Sequence, residues 1–179
     1  MNIPNFLSLL RILFVPVMVI FLIGDAFVKA LIVLVISGLT DALDGFLARI
    51  LNQQTTLGAY LDPIADKALL ASCFVTLAIK GIIPVWLTVI VISRDFIILF
   101  GVAVLSMMSI PFEMRPAFVS KVTTAVQLLT IFSVLVSQRL MGIFTEQGLM
   151  ILYWVTAFFT IISGLNYMFR RVKLNSARV

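Results

Sequence analysis

The chain has 179 residues, 62% hydrophobic and 12% charged, with a formal net charge of +5. Soluble domains of this length are roughly half apolar and about a quarter charged, so the composition belongs to a membrane protein rather than a nucleic-acid binder. It contains no histidine, which excludes Ser-His-Asp catalysis, histidine metal ligation and phosphodiester chemistry through a histidine nucleophile.

Six apolar runs are long enough to be spans of about 20 residues: 6–24, 29–49, 57–79, 84–106, 119–141 and 148–169. Breakers separate them: Gly24-Asp25, the polar stretch Asn52 to Thr56, Gly81 with Pro84, Pro111 with Pro116, and Gly142 to Gly148. Such unbroken runs are too long for barrel strands, and lipid leaves helices as the alternative. The expected fold is an all-α integral membrane protein of six transmembrane helices, one domain over 1–179. The first run lacks a basic leader and a small-residue cleavage pattern, and is expected to be retained. Cys73, the one cysteine, lies within the third run and reads as packing.

Six spans put both termini on one side. Arg49, Arg115, Lys121 and the tail cations Arg170, Arg171, Lys173 and Arg178 fall on that side, with Arg11 near it. Lys29, Lys80 and Arg139 fall on the other. The basic excess places the termini in the cytoplasm, and the tail suits an anionic lipid surface.

The second and third runs carry acids at membrane depth. The region reads Asp41-x-x-Asp44-Gly45-x-x-Ala48-Arg49, eight residues, then Gly58-x-x-x-Asp62-x-x-x-Asp66. Spacings of three and four put each acidic pair on one helix face. By helix rise, Asp41 lies about 12 Å before Arg49 and Asp66 about 12 Å beyond Gly58, so the carboxylates can meet at similar depth. Converging acids repel one another at low dielectric, and hard divalent cations with oxygen ligands resolve this. Two ions about 3.5–4 Å apart suit phosphoryl chemistry. Taken alone, each acidic pair also fits a cation channel or proton relay, and the small residues also fit close helix packing.

The full pattern across both helices resembles the signature of the CDP-alcohol phosphatidyltransferase family at every position. The resemblance implies that Asp41, Asp44, Asp62 and Asp66 surround two ions, Mg2+ or Mn2+. It also implies that Asp41, Asp44, Gly45, Ala48, Arg49 and Gly58 border the CDP donor and that Asp66 deprotonates the acceptor hydroxyl. The implied reaction moves a phosphatidyl group from CDP-diacylglycerol to an alcohol and releases CMP. A homodimer in a bacterial cytoplasmic membrane, or in the mitochondrial inner membrane, is the corresponding expectation for assembly and location.

Asn2-Ile3-Pro4-Asn5 with Arg11, and Leu61 to Lys67, resemble the branch holding phosphatidylglycerophosphate synthases and eukaryotic-type cardiolipin synthases. The first group typically carries Arg-Glu in the fourth span and a second arginine eight residues on. Here stand Arg94-Asp95 and Val102. A phosphomonoester acceptor benefits from an extra arginine fork, so its absence favours phosphatidylglycerol as acceptor, giving cardiolipin, over glycerol 3-phosphate. Arg94, Lys121 and Arg115 are the acceptor-side candidates. Arg94 also fits an internal ion pair, and Lys121 a side chain snorkelling at a helix start. From other classes, a transporter with an acidic cation site and a structural membrane protein stand as rivals.

Overall fold

In the computed structural model the backbone is described for residues 3–50, 56–107, 118–139 and 145–176, and side chains for residues 10–40, 65–101, 119–139 and 145–167. The described residues form six helices and no strand: α1 (Ile3–Ile23), α2 (Phe27–Ile50), α3 (Thr56–Ile79), α4 (Val85–Met107), α5 (Phe118–Arg139) and α6 (Glu146–Ser176). Each falls on one of the six apolar runs. α6 departs from expectation: it continues through Arg170, Arg171 and Lys173 instead of ending near 169. Lysine and arginine are good helix formers and favour a helix C-terminus, so the helix outlasts its apolar run.

The chain divides into two compact units, one of residues 1–83 with 131–144, the other of residues 84–130 with 145–179. In the first unit, α1 packs on α2 and α3. Leu69, Leu70, Cys73, Phe74 and Leu77 are buried along α3 at helical spacing, with Arg11, Met18 and Leu22 on α1. Both helices run the same way, because Arg11 meets Asp66 near one end while Lys80 reaches Leu22 and Ile23 at the other.

Local chemistry explains how α1 and α3 stop. Asp25 adopts a left-handed φ of 56°; the Ala26 N–H bonds to Phe21 O and the Asp25 N–H to Leu22 O. Gly81 repeats this at φ 70°, with Ile82 N–H on Leu77 O and Gly81 N–H on Ala78 O. These paired bonds satisfy carbonyls that a helix end leaves open. Asp25 tolerates the left-handed region because its short polar side chain is compatible with it. The turn reverses the chain, so α2 returns toward the start of α1.

In the second unit α4 packs on α6. Trp86 meets Trp154 at 4.9 Å between ring centroids, and the Tyr167 hydroxyl donates to Ile98 O at 3.4 Å. Gly101 leaves room for that ring: a Cβ there would lie 3.1 Å from Tyr167. α5 and α6 are joined by a buried polar seam. Thr130 and Thr156 hydroxyls lie 2.6 Å apart, Gln127 Nε2 donates to Thr160 at 3.3 Å, and Thr123 donates to Phe159 O at 3.1 Å.

The outer face of α6 is the reverse of a soluble helix. Ile151, Trp154, Phe158, Ile161 and Leu165, spaced three and four apart, are exposed, while Thr156, Thr160 and Ser163 are buried. Apolar outside and polar within is the pattern of a helix solvated by lipid. By length and hydropathy, α5 and α6 each carry a segment able to cross a membrane, Val119–Arg139 and Glu146–Tyr167.

Candidate active site

The acidic pattern falls on two adjoining helices. α2 carries Asp41, Asp44, Gly45, Ala48 and Arg49 in its C-terminal half, and α3 carries Gly58, Asp62 and Asp66 in its first half. Since α2 runs against α1 and α3 runs with it, the end of α2 and the start of α3 lie at the same end of the first unit. The side chains of Asp41, Asp44, Ala48, Arg49 and Asp62, like Arg115, lie outside the described residues.

Asp66 is the described member of the set. Its Oδ1 accepts a 2.5 Å hydrogen bond from Arg11 Nη1. The Arg11 side chain is 1% exposed and that of Asp66 36%. Arginine thus holds the carboxylate from the protein side, and the carboxylate remains partly exposed. The packing behind explains the register: Ala65 and Leu69, flanking Asp66 on α3, are buried at 0% and 4%. A planar guanidinium orients a carboxylate more firmly than an ammonium does. Arg11 entered the sequence reading only as a cytoplasmic-side cation and as part of a family resemblance, not as a site residue; its signal was a cation between Leu10 and Ile12 inside an apolar run.

The described acceptor-side candidates, Arg94 and Lys121, sit in the second unit. Arg94 is 4% exposed. Its Nη1 donates to Asp95 at 2.6 Å, and its Nη2 to Ser120 and Ser163, each at 2.7 Å. Gly164 lies against its aliphatic stem, where an added Cβ would stand 3.6 Å from Cγ. These partners come from α4, α5 and α6, and the arrangement is that of an internal tie. Lys121, next to Ser120, is exposed.

The donor set suits hard cations, being all carboxylate with no histidine or thiolate near it in sequence. Among the described residues no three acids or cysteines gather elsewhere to compete for a metal.

A family model described as CDP-alcohol phosphatidyltransferase matches residues 1–162, which include all four aspartates, the whole of the first unit and much of the second. Among curated proteins, human cardiolipin synthase (CMP-forming) is 38% identical over 93% of this chain and 60% of that protein. The CDP-diacylglycerol–glycerol-3-phosphate 3-phosphatidyltransferase of Wigglesworthia glossinidia brevipalpis is 33% identical over 94% of each chain. Its Bacillus subtilis namesake is 29% identical over 93% of each. The chain therefore spans 60% of the length of the human relative and nearly the whole of the bacterial ones.

Proposed function

Since the chain belongs to the CDP-alcohol phosphatidyltransferase family, we propose that it transfers a phosphatidyl group from CDP-diacylglycerol to an alcohol, releasing CMP. The observation that carries this reading is the partly exposed Asp66 carboxylate, oriented by buried Arg11 on a helix that also bears Asp62. In the proposed reaction Asp66 takes the proton of the acceptor hydroxyl. The hydroxyl oxygen bonds to the phosphatidyl phosphorus, the pyrophosphate P–O bond breaks, and CMP departs with that electron pair. General base catalysis of this kind contributes roughly 100- to 10,000-fold.

Asp41, Asp44 and Asp62, with Asp66 only a loose ligand, are the residues that would hold two Mg2+ or Mn2+ ions, whose chemistry would be to neutralise charge on the phosphates. Arg49, with Gly45, Ala48 and Gly58 leaving room, borders the donor. On the acceptor side Lys121 and Arg115 stand as candidates. For Arg94 the bonds to Asp95, Ser120 and Ser163 favour holding helices together.

The acceptor we favour is phosphatidylglycerol, giving cardiolipin, supported by Arg94-Asp95, by Val102 and by the 38% identity to the human synthase. A second reading, glycerol 3-phosphate as acceptor, is favoured by the end-to-end match to the bacterial relatives. We further propose one membrane domain over 1–179, crossing six times with cytoplasmic termini and active site, and working as a homodimer. The shared direction of α1 and α3 and the outward apolar face of α6 support the crossing pattern.

The test is CMP release from CDP-diacylglycerol by purified protein with and without magnesium, given phosphatidylglycerol or glycerol 3-phosphate. Release only with magnesium and phosphatidylglycerol is the expected result. Release with glycerol 3-phosphate alone selects the second reading. No release with either would favour a transporter or structural protein.

A further inference from the structure

At the end of the first unit away from the aspartates, the α1–α2 turn and the end of α5 enclose an open cavity of about 420 Å³. Asp25, Phe27, Val28, Lys29, Gln138 and Arg139 line it. Lys29 lies about 18 Å before Asp41 by helix rise, so this cavity is separate from the proposed active site. We propose that it binds the phosphate headgroup of an anionic phospholipid, in the leaflet opposite the catalytic carboxylates. This rests on the membrane-spanning reading but not on the transfer activity.

Three observations converge on that ligand. The first is charge. Lys29 and Arg139 line the cavity, and Lys80 donates to Asp25 at 2.5 Å, cancelling its charge. Two positive charges stay in excess. Lys80 is further anchored on Leu22 O at 3.0 Å and Ile23 O at 3.1 Å, which fixes its ammonium beside Asp25.

The second is the start of α2. Ala26 occupies the capping position, with its carbonyl accepting from Ala30 N–H, and its methyl side chain cannot accept from the first-turn amides. Such amides and the helix dipole favour an anion. On its own a helix start specifies nothing, but here it opens into a cavity that carries two cations.

The third is the surface leading from it. Val28, Ile32, Val35 and Leu39 are all exposed on one face of α2, at spacings of four, three and four. A lipid bound by its phosphate at Lys29 and Arg139 can lay an acyl chain along this stripe. Lys80 sits 5.7 Å from the Phe27 ring centroid and Lys29 5.8 Å from that of Phe21. Cations held against aromatic rings suit the headgroup level of a bilayer. A free phosphate would use the cations and leave the stripe without purpose, which is why the lipid is the favoured source.

The experiment titrates the purified full-length chain with phosphatidylserine and counts bound lipids by native mass spectrometry, with phosphatidylcholine and inorganic phosphate as further arms. The Lys29→Gln/Arg139→Gln variant should hold phosphatidylserine on the order of 30-fold more weakly, the worth of two surface cations toward anionic lipid. Its weak phosphatidylcholine binding and its CMP release should be unchanged. Lys29→Arg/Arg139→Lys, keeping both charges, should restore most of the binding. Equal affinity in wild type and the double glutamine variant overturns the site. So does loss of binding in the charge-keeping variant, and competition by inorganic phosphate below millimolar concentration reassigns the cavity to a soluble anion. Absence of CMP release from the wild type would sink the transfer reading while leaving the lipid result standing.

Discussion

Arg11 and Asp66, 55 positions apart, meet through a 2.5 Å hydrogen bond between parallel helices, with the arginine buried and the carboxylate partly exposed. The pair ties α1 to the end of α3 that carries the acidic pattern. It makes α1 a part of the site, although it supplies no member of the acidic pattern.

Asp66→Asn keeps size and much of the hydrogen bonding while removing the base. Transfer should fall at least about 100-fold, the low end of what general base catalysis contributes. Metal and CDP-diacylglycerol should still bind with near-normal affinity, as read by calorimetry beside single-turnover transfer. Loss of metal binding in step with activity would make Asp66 an essential ligand. Arg11→Met should slow transfer by about 10- to 100-fold through a misplaced carboxylate, with donor affinity little changed. An unaltered rate would reduce Arg11 to a packing role.

Asp41→Ala, Asp44→Ala and Asp62→Ala should each nearly abolish turnover at any magnesium concentration that saturates the wild type. Each removes one of the proposed hard oxygen ligands from a set with no further acid close to it in sequence. Any of the three that keeps wild-type activity at limiting magnesium is not a ligand.

Arg49→Lys keeps the charge and loses the planar fork. Its apparent Michaelis constant for CDP-diacylglycerol should rise several-fold, with that for the acceptor unchanged. A defect confined to the acceptor would move Arg49 out of the donor site.

Arg94→Met should act on stability instead of acceptor affinity. It removes one member of the buried Arg94–Asp95 pair, and breaking a buried pair costs about 3–5 kcal/mol. Thermal unfolding in detergent should show a large loss, partly restored in Arg94→Met/Asp95→Leu, where no buried charge is stranded. A stable Arg94→Met protein with a raised Michaelis constant for phosphatidylglycerol would instead favour an acceptor contact.

Much of the fold was legible because lipid imposes one rule, long apolar helices, and Gly24, Gly81 and Pro84 punctuate them. The prolongation of α6 was not, since hydropathy marks where a helix leaves the apolar layer and says little about where its backbone ends. Of the site, the acidic spacing was readable because i, i+3 and i, i+4 define a helix face without tertiary knowledge. Arg11's partner was not, because it depends on the parallel register of α1 and α3, which local sequence does not encode. For Arg94 the sequence allowed an ion pair and an acceptor contact equally. Ser120 and Ser163, from helices remote in sequence, make the difference.

The seam between α5 and α6 bears on how the protein enters its membrane. Thr130 also hydrogen-bonds Val126 O at 2.8 Å, Thr156 bonds Leu152 O at 2.7 Å, and Thr160 bonds Thr156 O at 2.7 Å, each within its own helix. A newly inserted helix can therefore shelter these hydroxyl protons against its own backbone before it has a neighbour. When the helices meet, Thr130 and Thr156 share a contact in which either oxygen is able to donate. One hydroxyl then gives up its own carbonyl for the facing threonine, so the cost of exchanging lipid for protein contacts is small. The same residues that secure the finished bundle let each helix wait, unpaired, in oil.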